Sequence, residues 1–292
     1  MNEDSDFSEF KRITIIGCGL IGGSVGLTLK KKKYAVEIVG IDHEQIIEKA
    51  SSLGAIDWGT TEIRKGVEGA DLVILATPVK EIIKLMTEIK PFVSANCLVT
   101  DTGSSKERIL IEAQKIFCDK CDFIGGHPMA GLENGGIEFA QAGLFSNKPF
   151  ISVEKKGNKL QARQKMTNFI KMINAIEIKL RAIEHDQIIS LVSHVPQLVA
   201  IIFTNLFGQL IQKDFSEDCY KIGGKAFNEM TRVASSPFSM WGDIYETNNI
   251  WTVDSIEKIE EMLKKIKEKI IKNPEELKED FLAAKYFKEK MS

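Results

Sequence analysis

The sequence predicts an α/β fold: a doubly wound parallel sheet in the N-terminal part, then an all-helical C-terminal domain. Three observations carry this reading. Short apolar runs without polar alternation recur between helical stretches over the first 180 residues, as strands buried on both faces require. The first run, Ile13-Thr14-Ile15-Ile16, passes directly into Gly17-Cys18-Gly19-Leu20-Ile21-Gly22 and a helix. Beyond Glu184 only helical periodicity remains. The domains are therefore set at residues 8–182 and 183–292.

Residues 1–10 form a polar tail. After the glycine-rich turn, a helix is expected to about Lys33, and the next apolar run, 36–41, ends in Asp42. A helix over 44–53 stops at Gly54, a C-cap residue. Residues 72–76 form a third strand, closed by Thr77-Pro78. A helix over 79–90 ends before Pro91, and residues 97–100 form another strand. Short strands are expected at 123–124, 150–153 and 176–183, with a helix between the last two. In the helical domain Ile256, Ile259, Leu263, Ile266 and Ile270 recur at helical spacing opposite a Lys/Glu face. Asn273-Pro274-Glu275-Glu276 has the pattern of a fresh helix start, with an N-cap and a proline at the first position.

Composition narrows the function classes. A length of 292 residues, 43% hydrophobic and 27% charged, suits two ordinary globular domains and excludes disordered or collagenous chains. Lys and Arg number 39 against 41 Asp and Glu, so no basic excess favours nucleic acid or an anionic membrane. The lysine runs 30–33 and 264–269 read as solvated helix faces. Five scattered cysteines fit a reducing cytoplasm, and the acidic N-terminus lacks the layout of a signal peptide. Cys118-Asp119-Lys120-Cys121 is a single CxxC without a second pair and is taken as incidental. The most apolar stretch, 188–211, contains His194, Pro196, Gln197, Asn205 and Gln209, and reads as a buried helical segment of a soluble protein.

The glycine-rich turn is in the context a dinucleotide needs. Gly17 permits the tight turn, Gly19 lets the backbone approach a pyrophosphate, and Gly22 lets helix and strand pack closely. Leu20 and Ile21 open the helix whose N-terminus faces the anion. Asp42, 20 residues after Gly22, suits the ribose hydroxyls of NAD and repels a 2′-phosphate. Thr77 and Pro78 stand where loops line the cofactor crevice of such Rossmann-type sheets. Ser104 and His127 follow other strand ends and fall at the same crevice. His127, between Gly126 and Pro128, suits proton transfer from a hydroxyl whose carbon loses hydride. Arg232 is a candidate carboxylate clamp. The four histidines, at 43, 127, 185 and 194, are far apart, and no metal-ligand spacing is present. His185 is read as a residue that joins the domains.

At these residues the chain resembles the prephenate/arogenate dehydrogenases of tyrosine biosynthesis. The resemblance rests on Gly125-Gly126-His127-Pro128-Met129-Ala130-Gly131, on Ser193-His194-Val195-Pro196, and on Thr231-Arg232 with Ser236-Pro237 and Met240-Trp241. It implies NAD as cofactor and oxidative decarboxylation of a cyclohexadienol. It also implies that His127 accepts the hydroxyl proton and that Ser104 bonds the same hydroxyl and holds His127. By the same resemblance Arg232 binds substrate carboxylate, Glu133 and Trp241 border the pocket, His194 lies on the nicotinamide side, and the helical domains pair into a homodimer. Many members have a histidine three residues after the first in the S-H-x-P segment, where this chain has Gln197. That position lies near the substrate, and a neutral glutamine can hydrogen-bond either a keto or an amino-acid side chain. Prephenate is the expected substrate, with arogenate or dual use as the alternative. A different two-domain hydroxyacid dehydrogenase or a non-catalytic NAD-binding protein is the more distant reading. With the sequence ending at Ser292, a C-terminal regulatory domain is not expected.

Overall fold

The computed structural model describes residues 9–132 and 135–291. Eight strands form one sheet: β1 (Arg12–Ile16), β2 (Glu37–Ile41), β3 (Trp58–Thr60), β4 (Leu72–Leu75), β5 (Leu98–Asp101), β6 (Asp122–Pro128), β7 (Pro149–Val153) and β8 (Ile176–Lys179), in the order β3-β2-β1-β4-β5-β6-β7-β8. All neighbours are parallel except β6 and β7. The strand order reverses between β1 and β4, so the carboxyl ends of these two strands open a crevice at the switch point.

Six helices cover the sheet: α1 (Leu20–Lys31), α2 (Glu44–Ser52), α3 (Ile63–Val67), α4 (Val79–Ile89), α5 (Glu107–Phe117) and α6 (Leu160–Met172). Alternate residues of the central strands feed two cores. Ile13, Ile15, Ile38 and Ile74 pack with α1 and α6, and Ile16, Val73, Leu75 and Val99 pack with α4 and α5. This burial on both faces is why the strands read as continuous apolar runs.

The helical part comprises α7 (Ala182–Ile189), a π-helical turn (Ser190–His194), α8 (Val195–Asp214), α9 (Lys225–Thr231), α10 (Phe238–Thr247), α11 (Asn249–Lys272) and α12 (Lys278–Lys290). The Asn273 side chain accepts a hydrogen bond from the Glu275 N–H, with Pro274 in the first turn, so the expected cap is present. It opens a 3₁₀ turn that leads into α12.

The structure differs from the sequence reading at four places. β3 and α3 escape it, because three and five residues are too short to show a period. The strand expected over 176–183 ends at Lys179, and α7 begins at Ala182. Here Glu184 turns back to accept the Arg181 N–H and draws the chain into helix. The 125–128 segment is not a loop but the end of β6, with His127 registered opposite Ile151. Gly126 makes this possible: a Cβ there would lie 2.5 Å from the Asp101 carbonyl oxygen.

The fourth difference concerns residues 188–211, which are not a buried segment of a single chain. Ala200 and Ile211 are buried, but Ile188, Leu191, Ile202, Leu206 and Leu210 are all exposed on one face. The run Ala182–Asp214 is long and apolar enough to cross a membrane by length and composition, although His194 and Gln197 within it are buried against protein.

Candidate active site

The crevice at the switch point is a groove of about 540 Å³, lined by Gly17, Gly19, Asp42, Thr77, Pro78 and Glu81 among others. Gly17 has φ +93°, and a Cβ there would lie 2.6 Å from the Ala76 carbonyl oxygen, so only glycine makes this turn. A Cβ at Gly22 would lie 2.0 Å from the Gly17 carbonyl oxygen. At Gly19 a Cβ would meet no protein atom within 4 Å, so that side of the turn is open to a phosphate. The first turn of α1, with Leu20 and Ile21, carries no acidic residue, and its backbone N–H groups lack intrahelical partners. Asp42 is held by two backbone N–H groups, Cys18 to Oδ2 and His43 to Oδ1, each at 2.7 Å. The buried Thr77 Oγ1 has no partner among the described residues. An open phosphate cradle, a fixed carboxylate at the end of β2 and an unused hydroxyl together fit a dinucleotide.

Below the strand ends lies a buried ionic centre. The Asp101 carboxylate and the Lys106 ammonium are paired and fully excluded from water. Asp101 Oδ2 also accepts the Gly103 N–H (2.8 Å), and Oδ1 accepts the Gly126 N–H (3.1 Å). One carboxylate thus holds the residues just before Ser104 and just before His127. Lys106 opens α5, where its own N–H donates to Asp186 Oδ1 at 2.7 Å, while the Glu107 N–H donates to Asp186 Oδ2 at 2.9 Å. Burial raises the Asp101 pKa and lowers that of Lys106, and each partner opposes the shift of the other.

His127 Nδ1 lies 2.8 Å from His185 Nε2, and His185 Nδ1 lies 2.7 Å from Asp186 Oδ1. The bond that holds His127 therefore comes from His185, not from Ser104, which sits half-buried on the neighbouring β5–α5 loop. Desolvation, then the nearby His185 and Lys106, push the His127 pKa well below 6.5. The same burial pushes His185 to about 2 and His194 to about 4. All three imidazoles are neutral at physiological pH.

A second cleft, about 500 Å³, is lined by Gly131, Leu132, Gln197, Arg232, Met240 and Trp241 among others. Gly131 and Leu132 come three and four residues after the end of β6, so this cleft lies close to the His127 segment in the chain. Arg232 stands on a 3₁₀ turn after α9 and is exposed there. The His194 ring is edge-on to Trp241, with centroids 6.3 Å apart. Gln197 Nε2 donates to the Val233 carbonyl at 2.9 Å. Gln197 Oε1, His194 Nε2 and Trp241 Nε1 are buried and without partners among the described residues, as expected of groups that await a polar ligand. Glu133 lies outside the described residues.

Interdomain contacts set the two clefts against each other. Lys80, just after Pro78, pairs with Glu246 (2.6 Å) and Asp243 (3.3 Å) on α10, the helix that carries Trp241. Ser105 bonds Thr247 on the same helix at 2.7 Å. Sequence reasoning assigned no role to Lys106 or Asp186. The available signal was a charged residue at each end of the Asp101–Lys106 segment, directly after an apolar strand.

Comparison with known proteins agrees with this geometry. The family model described as prephenate dehydrogenase, nucleotide-binding domain, matches residues 25–179, and prephenate dehydrogenase, dimerization domain, matches residues 181–288. The prephenate dehydrogenase of Lactococcus lactis is 34% identical over 276 residues, 93% of this chain and 74% of the relative. That of Bacillus subtilis is 34% identical over 239 residues, 80% of this chain and 62% of the relative. Among solved structures, prephenate dehydrogenase from Aquifex aeolicus in complex with hydroxyphenyl propionate and NAD+ superposes with a TM-score of 0.87. It is 29% identical, and the match covers 97% of this chain and 99% of that one.

The buried pair makes a direct stability prediction. Lys106→Met leaves an unpaired carboxylate in the core and is expected to cost about 3–5 kcal/mol. Chemical denaturation of the purified variant checks this; a midpoint equal to wild type would contradict the pairing.

Proposed function

The chain belongs to the prephenate dehydrogenase family, and on that premise we propose that it converts prephenate and NAD to 4-hydroxyphenylpyruvate, CO2 and NADH in tyrosine biosynthesis. The observation that carries the reading is a buried, neutral His127 at the same strand-end edge as the dinucleotide groove, beside a cleft lined by Arg232. NAD, when bound, supplies the hydride acceptor. Gly17, Gly19, Leu20, Ile21 and Gly22 would hold its pyrophosphate, Asp42 its adenosine ribose, and Thr77, Pro78 and His194 would border the nicotinamide half.

His127 takes the proton of the ring hydroxyl, and Ser104 bonds the same oxygen. Arg232 holds a substrate carboxylate as a bidentate fork, with Gln197, Trp241 and Glu133 around the side chain. Loss of CO2 follows because it makes the ring aromatic, so the protein needs one base and a fixed orientation. The residues required come from both domains, 8–182 and 183–292, so the cleft closes only when the two are packed together.

One observation favours a second reading. Because the Val233 carbonyl can only accept, the Gln197 amide nitrogen faces it and a bare carbonyl, Oε1, is left over. That acceptor suits an ammonium, and so arogenate, as well as water beside a keto acid.

The helical half forms a homodimer in this reading, supported by its match to a dimerization domain and by the exposed apolar face of Ile202, Leu206 and Leu210. The enzyme works in the cytoplasm, where its five free thiols stay reduced.

Initial rates of NADH formation with prephenate and, in parallel, arogenate test the activity. His127→Asn is expected to lower kcat by about 10²–10⁴-fold. Since the His127 pKa lies well below 6.5, the base stays neutral on mild acidification, and kcat/KM is expected to hold its plateau through pH 6.5. A His127 limb at or above pH 6.5, or full activity in His127→Asn, contradicts the assignment. Light scattering should give twice the 32.7 kDa chain mass, and Leu206→Glu should shift it toward one. A monomeric wild type rejects the dimer.

A further inference from the structure

Sequence reading gave His185 a domain-joining role, and Asp186 none. Both side chains are nonetheless excluded from water and lie in line with His127. The Asp186 carboxylate accepts two backbone N–H groups at the start of α5. Burial raises its pKa while these two N–H groups oppose the shift; the ionised form they hold is an acceptor only, which places the His185 proton on Nδ1, facing Asp186 Oδ1. A neutral imidazole with its proton on Nδ1 has a bare Nε2. That bare nitrogen faces His127 Nδ1 at 2.8 Å and can only accept. The His127 proton is thereby placed on Nδ1, and its Nε2 is left as a lone pair.

We propose that Asp186 and His185 are positioning residues that fix the tautomer of His127, so that Nε2 is the atom that takes the substrate proton. The inference rests on the reading of His127 as the base. The surrounding charges favour it. His127 faces the Lys106 ammonium from the start of α5, His185 from α7 and His194 from the π-helical turn. His185 faces Lys106, His194 and Asp186. Burial first, and the Lys106 cation with it, discourage an imidazolium on either ring, so both stay neutral and the tautomer order is set by the one carboxylate.

Asp186→Asn separates this role from a merely structural one. The amide has one oxygen where the carboxylate has two: with an N–H turned toward His185 Nδ1 it keeps the acceptor for the Glu107 N–H and gives up the one for the Lys106 N–H. His185 then carries its proton on Nε2 and donates to His127 Nδ1, and the His127 proton moves to Nε2, where it blocks the base. The expected result is a fall in kcat of about 10³–10⁴-fold, the size seen when the carboxylate partner of a catalytic histidine is replaced by its amide. KM for substrate and Kd for NAD should stay near wild type.

The tautomer itself is read from ¹⁵N spectra of the full-length, histidine-labelled wild-type enzyme at neutral pH, with His127→Asn assigning the signals. A protonated Nδ1 and an unprotonated Nε2 on His127 support the proposal, whether or not prephenate proves to be the substrate. A wild-type His127 protonated at Nε2 overturns it, as does a folded Asp186→Asn enzyme with wild-type kcat. If Asp186→Asn does not fold, the wild-type spectrum decides alone.

Discussion

The Asp101–Lys106 ion pair is the contact on which the site depends. Two opposite charges with no access to water are tolerated only when each meets the other and the remaining lone pairs are filled. Here Asp101 also accepts N–H groups from Gly103 and Gly126, so one carboxylate anchors both the Ser104 loop and the His127 strand end. The backbone of Lys106 then reaches Asp186 and ties the first helix of the helical domain to the same point. A charge placed here also acts on chemistry, because the ammonium disfavours protonation of the imidazoles beside it. The same pair thus organises three chain segments, and its ammonium adds to the burial that keeps the imidazoles neutral.

Sheet topology explains where the two clefts lie. The reversal between β1 and β4 opens the dinucleotide groove at their carboxyl ends, and β5 and β6, parallel to them, deliver Ser104 and His127 along the same edge. The antiparallel turn to β7 then supports the His127 segment from its other side. Lys80 links the groove to α10, which carries Trp241, so the wall of one cleft is braced against the helix that lines the other.

Much of this was legible in the sequence where the determinant is local. The glycine turn, the helix at Val79–Ile89 and the Asn273 cap each depend on neighbours a few residues apart, and Asp42 on a fixed spacing within one βαβ unit. The sheet of buried apolar runs followed, and so did the family. The ring partner of His127 was not legible, because His185 is 58 residues away and only the docking of α7 brings the two together. Lys106 reads in isolation as a solvated lysine at a helix start, since nothing local reports that its head is buried. The 188–211 run was legible as apolar, but not which of its faces the chain itself covers. Its apolar content signals burial, but on a single chain one face is left for something outside it.

The measurement that bears most directly on the account is the stoichiometry of NADH and CO2 released from prephenate labelled in the ring carboxylate. The account requires one CO2 for each NADH, with 4-hydroxyphenylpyruvate as the organic product, since aromatisation is what makes a single base sufficient. NADH formed without CO2 would identify an ordinary hydroxyl dehydrogenase on the same scaffold and contradict the central claim.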